Sequence, residues 1–305
     1  MITAASFPTP DLAVRSCDPA ELDRVRAFAV AQAAAAEAAR RRLESGVDVA
    51  ALRAVHADLI RWRHELALRA PGRLGQGLPL DASRFVTSLA DGGPNYDRLG
   101  YLGRLRHGAS WDPSTRTFRG GVETPAHRIM LHYGRAVHER FAREDNAGDV
   151  LLNPVVLPDG RVITGNRLVR GAAAARIGEE LVARLARRGR DTSQVETGGD
   201  PCYAVTADDS ARELMFASAL DLLVDKGDWS AAQYLLFQSP RTKKGSDAVT
   251  RVFLVAVGSV LLEHPPVLDQ DVDLRCAVLG QRWAGGLQTV TGNSDFDACR
   301  QRNLQ

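Results

Sequence analysis

Residues 150–164 hold the pattern that most constrains the fold. Val150 to Val156 and Arg161 to Thr164 are short β-like runs, and between them stands Leu157-Pro158-Asp159-Gly160. Proline presets one backbone angle, aspartate hydrogen-bonds its own backbone, and glycine accepts a positive φ, so the four residues make a tight turn. Two strands are therefore joined locally. Almost everything around them reads helical, which predicts an α+β fold.

The helical signals are caps and periodicity. Asp18-Pro19-Ala20-Glu21 supplies an N-cap, a proline in the first turn and an acidic residue for the positive end of the helix dipole. An alanine-rich run follows to Leu43, and Glu44-Ser45-Gly46 stops it. A second helix is expected from Asp48 to Arg69, stopped by Pro71-Gly72, which makes a helical hairpin with the first. Residues 72–124 are turn-rich, with Gly92-Gly93-Pro94 and Gly120-Gly121. Pro125 opens a helix through Arg143. Past the strand pair, Gly165 is read as a strand break and Leu168 to Arg188 as a helix. Pro201 to Thr206 reads as a strand, and Asp208-Asp209-Ser210 caps the next helix. Another starts near Trp229, and Val249–Leu262 is apolar enough to be buried.

Composition excludes some classes. The longest apolar stretch, Val252 to Leu262, spans 11 residues, against the ~20 that cross a bilayer. Neither a membrane span nor a signal segment is expected. Cys17, Cys202, Cys276 and Cys299 are scattered with no Cys-x-x-Cys pair, which predicts reduced thiols in the cytoplasm rather than a disulfide framework. The formal charge of +2 points to no class of partner. Locally the balance differs: eight arginines and two acids lie between Arg161 and Arg190, a stripe able to attract phosphates.

A strand–glycine–helix junction bearing arginines is a plausible anion site, because the helix start offers free N–H groups and the arginines add fixed charge. Gly165, Asn166, Arg167 and Arg170 are the candidates. Pro154-Val155-Val156, Asp159-Gly160, Val162-Ile163, Gly165-Asn166-Arg167 and Arg170-Gly171-Ala172 together resemble the signature of the ParB/sulfiredoxin-like superfamily, in its ParB N-terminal-domain branch. Cys202 to Val205, Ala211 to Leu222 and Asp225-Lys226-Gly227-Asp228-Trp229-Ser230 are similar to later elements of that domain. Leu168 stands where the family usually has a second arginine, Asn166 where glutamate is typical, and Asp221 where it has asparagine.

The resemblance implies a ParB/sulfiredoxin-like core over about residues 125–235. A helical hairpin and turn-rich region (1–124) precedes it and a helical region (236–305) follows. It also implies a nucleoside triphosphate, CTP or ATP with Mg²⁺, whose phosphates meet Gly165, Asn166 and Arg167, with Arg170 in support. In the bacterial family such a domain acts on or near DNA and works as a dimer. Sulfiredoxin chemistry needs a cysteine in the loop Thr164-Gly165-Asn166-Arg167, which has none. The free-serine-kinase branch uses histidines that are also missing.

Other candidates are fewer. His127, His132 and His138 share a helix with Glu139, but spacings of five and six do not gather the histidines on one face for a metal. His138 and Glu139 remain the candidates for catalytic work. Lys243 and Lys244 form a basic loop before the 249–262 helix, where ParB proteins carry a helix-turn-helix module, and are the candidate DNA contacts. That helix is too apolar to expose to base edges, so it is read as core. Three functions stay open: a nucleotide-binding protein at DNA, a small-molecule phosphotransferase using ATP or ADP in the same pocket, and a non-catalytic interaction protein whose helical N-terminus meets the partner.

Overall fold

The computed structural model describes residues 1–16, 18–70, 81–262 and 264–281. Cys17, Cys299, the Pro71-Gly72 stop, positions 72–80 and the tail from 282 lie outside them. The elements run α1 (Pro19–Leu43), α2 (Val49–Arg69), α3 (Leu89–Gly92), β1 (Tyr96–Leu99), β2 (Ser110–Asp112), β3 (Thr117–Arg119), α4 (Pro125–Arg143), β4 (Val150–Val156), β5 (Val162–Val169), α5 (Gly171–Arg187), β6 (Cys202–Val205), α6 (Asp209–Val224), α7 (Trp229–Gln238), α8 (Ser246–Leu261) and α9 (Val272–Leu279). The fold is α+β.

Local chemistry sets the helix starts. Asp18 accepts from the Ala20 N–H, Asp48 from Ala51, Thr124 from His127, and Asp228 from both Ser230 and Ala231. Each side chain satisfies a donor that the first helical turn leaves open. The 157–160 turn forms as expected: Gly160 has φ +83° and its N–H donates to the Leu157 carbonyl.

Four strands form one antiparallel sheet in the order β1-β6-β5-β4, and β2 and β3 form a separate hairpin. Tyr96 pairs with Val205 and Leu99 with Cys202, so the sheet takes an edge strand from before Pro125. A unit beginning at residue 125 would cut through that sheet. In β4 the pattern alternates, with Leu151, Asn153 and Val155 facing inward. At the other edge, Pro154 has no N–H to offer. Asn146 Nδ2 donates to the Val150 carbonyl, and the Gln281 side chain bonds both the N–H and the carbonyl of Val156. These devices block strand addition on β4.

The largest core centres on α8, whose residues Ala248 to Gly258 are all buried, as its apolar sequence predicts. Ala29, Ala33, Ala36 and Leu43 of α1, Leu52 and Val55 of α2, and Met215 and Leu220 of α6 pack into it. The N-terminal helical hairpin is thus part of the main core. A second core under α4 joins Met130, Tyr133, Val137 and Phe141 to Leu151, Leu168 and, from α9, Leu274 and Val278.

His56 of α2 is buried in the main core, edge-on to Phe216 and Phe253, with ring centroids 4.9 and 5.4 Å away. Burial, helped by the Arg241 charge, pushes its pKa down to about 3. The unfolded chain therefore takes the proton first. Stability is complete above about pH 6.5 and is lost as the pH falls from there toward 3, at about 1.4 kcal/mol per pH unit. Urea titrations at pH 7 and pH 5 should differ by about 2 kcal/mol on this account, and His56→Met should remove that difference. An unchanged difference in the variant would assign the acid sensitivity to other groups.

Candidate functional site

The strand does not break at Gly165. β5 continues through Asn166 and Arg167 to Val169, and α5 begins at Gly171, three residues after the helix start read from the sequence. The cause is a distant partner: Arg167, Leu168 and Val169 pair with Val205, Ala204 and Tyr203 of β6. Gly165 serves packing instead. A Cβ there would lie 2.6 Å from Val155 Cγ2 and 3.1 Å from the Asn153 carbonyl oxygen, beside a register shift in the β4–β5 ladder.

Asn166 belongs to a buried polar network. The Asn153 amide donates to Asn166 Oδ1, and Asn166 Nδ2 donates to the Ala277 carbonyl at 2.7 Å. Gln238 Oε1 accepts from the Asn166 N–H at 3.2 Å, while its Nε2 donates to the Cys276 carbonyl at 2.7 Å. Arg140 completes the set, donating to Asn153 Oδ1 and to the Val278 carbonyl, with its outer edge on Glu144. Arg140, Asn153, Asn166 and Gln238 are all buried. Together they fasten α9 over the β4–β5 hairpin. Buried polar groups need such partners, and here each is supplied from within the chain.

The other phosphate candidates do not converge on this point. Arg167 lies half-buried across from Leu152, one position along the strand from the inward-facing Asn166. Arg170 stands at the N-cap of α5, donates to the Asn146 carbonyl at 3.0 Å and covers the Phe141 ring at 4.1 Å. The start of α5 already holds an anion: Asp149 Oδ2 accepts from the Ala173 N–H at 3.1 Å. Its Oδ1 lies 2.5 Å from where a Cβ on Gly171 would stand, so the glycine (φ +57°) admits the carboxylate. That is the charge the helix dipole attracts.

Glu139 is exposed on α4. His138 Nε2 lies 3.4 Å from Cys202 Sγ and 3.8 Å from Asp200 Oδ2, a grouping the sequence reading missed because its members are 64 residues apart. Burial and the nearby Asp200 carboxylate push the Cys202 thiol up to about 11, the opposite of what activates a nucleophile. Lys243 is tethered, its Nζ donating to the Gly93 and Pro94 carbonyls at 2.8 Å. Lys244 is half-buried, with Nζ 5.5 Å from the Phe85 ring centroid. Neither lysine stands on an exposed recognition loop, and α8 behind them is interior.

Among the described residues, no group of three or more His, Cys, Asp or Glu side chains could hold a metal ion. None of their helices is long and apolar enough to cross a membrane. No protein-family model matches the chain, and no curated protein matches it.

Proposed function

We propose that this chain is a non-catalytic interaction protein, in which the ParB-like strand–turn–strand–helix unit serves as scaffold. The carrying observation is Asp149 at the start of α5, which takes the place an incoming phosphate would need. The burial of Asn166 beneath α9 supports the same reading. With α1 and α2 packed on α8, the partner surface moves to the hairpin. Val150, Leu152, Val156 and Val162 are exposed there, with Arg167 beside them. An apolar strip next to a cation fits a protein partner presenting apolar and acidic side chains. A cytoplasmic setting accords with the free, buried thiols of Cys202 and Cys276.

The half-buried Arg167 favours the second reading, a nucleotide-binding protein at DNA. Calorimetric titration with CTP, ATP, ADP and GTP plus Mg²⁺, with and without duplex DNA, separates the two. Silence across the panel is expected. CTP binding that changes with DNA and disappears in Arg167→Ala, with the fold intact, would restore the nucleotide reading. Selective adenine-nucleotide binding indifferent to DNA would instead favour a phosphotransferase.

A further inference from the structure

The arginine stripe that ends on α5 gains further cations in the fold. Arg184 and Arg188, from the end of α5, meet Arg84 of the short turn Ala82–Phe85 and Lys243 of the loop before α8. The four lie beside β1, close enough that their charges act on one another. Cations at a helix C-terminus complement its dipole, but that accounts only for the two on α5. Among the described residues, no carboxylate forms an ion pair with Arg84, Arg184 or Arg188. Elsewhere the pairing is met within the chain: Arg53 and Arg241 share Glu213, and Arg106 meets Glu123.

Two of these cations are held in place. Lys243 is anchored through Nζ to the Gly93 and Pro94 carbonyls, and its stem runs along Gly92, where a Cβ would stand 2.6 Å from Lys243 Cδ. The Arg184 guanidinium lies 5.5 Å from the Tyr96 ring centroid. Burial, with the charges of Arg184, Arg84 and Arg188, pushes the Lys243 ammonium down to about 8 against the pull of Asp97, so it stays charged at pH 7. A fixed cluster of like charges is unfavourable by itself, and an anionic partner relieves it. Cations already in position also lose little freedom on binding.

Two acids narrow the class of partner. Asp81 accepts from both the N–H and the hydroxyl of Ser83, so it is engaged within its own turn. Asp97 is exposed, and its charge acts on Lys243 and Arg84. A nucleic-acid backbone carries a phosphate at every step and would set one against that carboxylate. An acidic peptide places a lysine or a backbone N–H there instead, and its carboxylates match the fork of a guanidinium. We propose that this patch is a docking site for an acidic segment of a partner protein, with carboxylates on Arg84, Arg184 and Arg188 and a donor facing Asp97. Because β1 and β4 are opposite edges of the sheet, the patch is distinct from the β4–β5 hairpin and its fate is independent of the hairpin reading.

Fluorescence anisotropy on the full chain tests it with a labelled, capped octapeptide of six glutamates and two lysines. The same peptide with glutamine for glutamate and a single-stranded oligonucleotide of equal net charge are the comparison probes. The acidic peptide should bind with Kd at or below ~100 µM at low salt and at least about tenfold more weakly at ~0.3 M salt. Both comparison probes should bind at least about tenfold more weakly than the acidic peptide. Arg84→Gln, Arg184→Gln and Arg188→Gln should each weaken peptide binding by about threefold to tenfold. Arg176→Gln removes the same charge about 12 Å along α5 and should leave affinity unchanged. Asp97→Asn should narrow the gap between oligonucleotide and peptide. Circular dichroism checks folding, and the exposed Arg188 gives a variant that disturbs no packing. No binding of the acidic peptide, an oligonucleotide bound as tightly, an equal loss in Arg176→Gln, or affinity unchanged in all folded patch variants would overturn the proposal.

Discussion

Arg140→Ala should destabilise the protein by about 3–5 kcal/mol, the range for removing one partner of a buried charged network. The guanidinium is nearly inaccessible and is the one cation in the cluster that joins α4 to β4 and to the C-terminal turn of α9. Removing it leaves Asn153 Oδ1 and the Val278 carbonyl short of a donor in a place water reaches poorly. It also opens a void beside Gly280, whose absent Cβ would stand 3.4 Å from the guanidinium. An unsatisfied buried acceptor costs about 1–3 kcal/mol, so two of them account for most of the figure. Glu144→Gln is the control: that carboxylate is 37% exposed, and an ion pair at the surface contributes at most about 1 kcal/mol. Urea unfolding followed by circular dichroism measures both. Amide exchange should also quicken first in the last turn of α9, because the carbonyls of Cys276, Ala277 and Val278 are what the network holds. A loss below about 1 kcal/mol in Arg140→Ala would mean that the network is hydrated and α9 is held by its apolar face alone.

That network explains why the sequence was informative at some points and silent at others. Helix starts were legible because their signals act between near neighbours: Asp18-Pro19, Asp48 and Pro125 mark α1, α2 and α4 to the residue. The Asp159-Gly160 turn is local in the same sense. The β1–β6 pairing is not, since its strands lie about a hundred residues apart and nothing in either announces the other. Gly165 failed for a related reason. Read alone it ends a strand, yet β6 pairs with the residues beyond it, and the missing side chain makes room for Val155 and Asn153. One signal for the polar network was present. In the alternation of β4, Leu151, Asn153, Val155 and Leu157 share the inward face, so an asparagine sits where the pattern demands an apolar residue. A polar residue at an inward position implies buried hydrogen-bond partners, which the second asparagine, Asn166, then supplies.

Glycines inside helices sharpen the same contrast, because their local contexts look alike and their expected effects have opposite signs. Gly134 lies in the middle of α4 and Gly178 in the middle of α5. At an exposed helical site alanine would stabilise by about 1 kcal/mol over glycine. At Gly178 an added Cβ meets Thr197 at 3.4 Å and the Tyr203 hydroxyl at 3.7 Å, ordinary contact distances. Gly178→Ala should therefore keep most of that gain. At Gly134 the Cβ would fall 2.3 Å from Gly100 Cα and 2.7 Å from its nitrogen. Backbone cannot swing aside as a side chain does, and Gly100 is fixed there by its bond to the Met130 carbonyl at 3.0 Å and by a φ of +86° that turns the chain out of β1. Gly134→Ala must push α4 away from the sheet, and overpacking of this kind costs about 1–3 kcal/mol or more beyond the propensity gain. Thermal unfolding of the two variants should move in opposite directions, with Gly134→Val lower still. Stabilisation of both by alanine would show that α4 can shift off Gly100 at little cost, and that the close approach of helix and strand is a preference of this packing rather than a requirement of the fold.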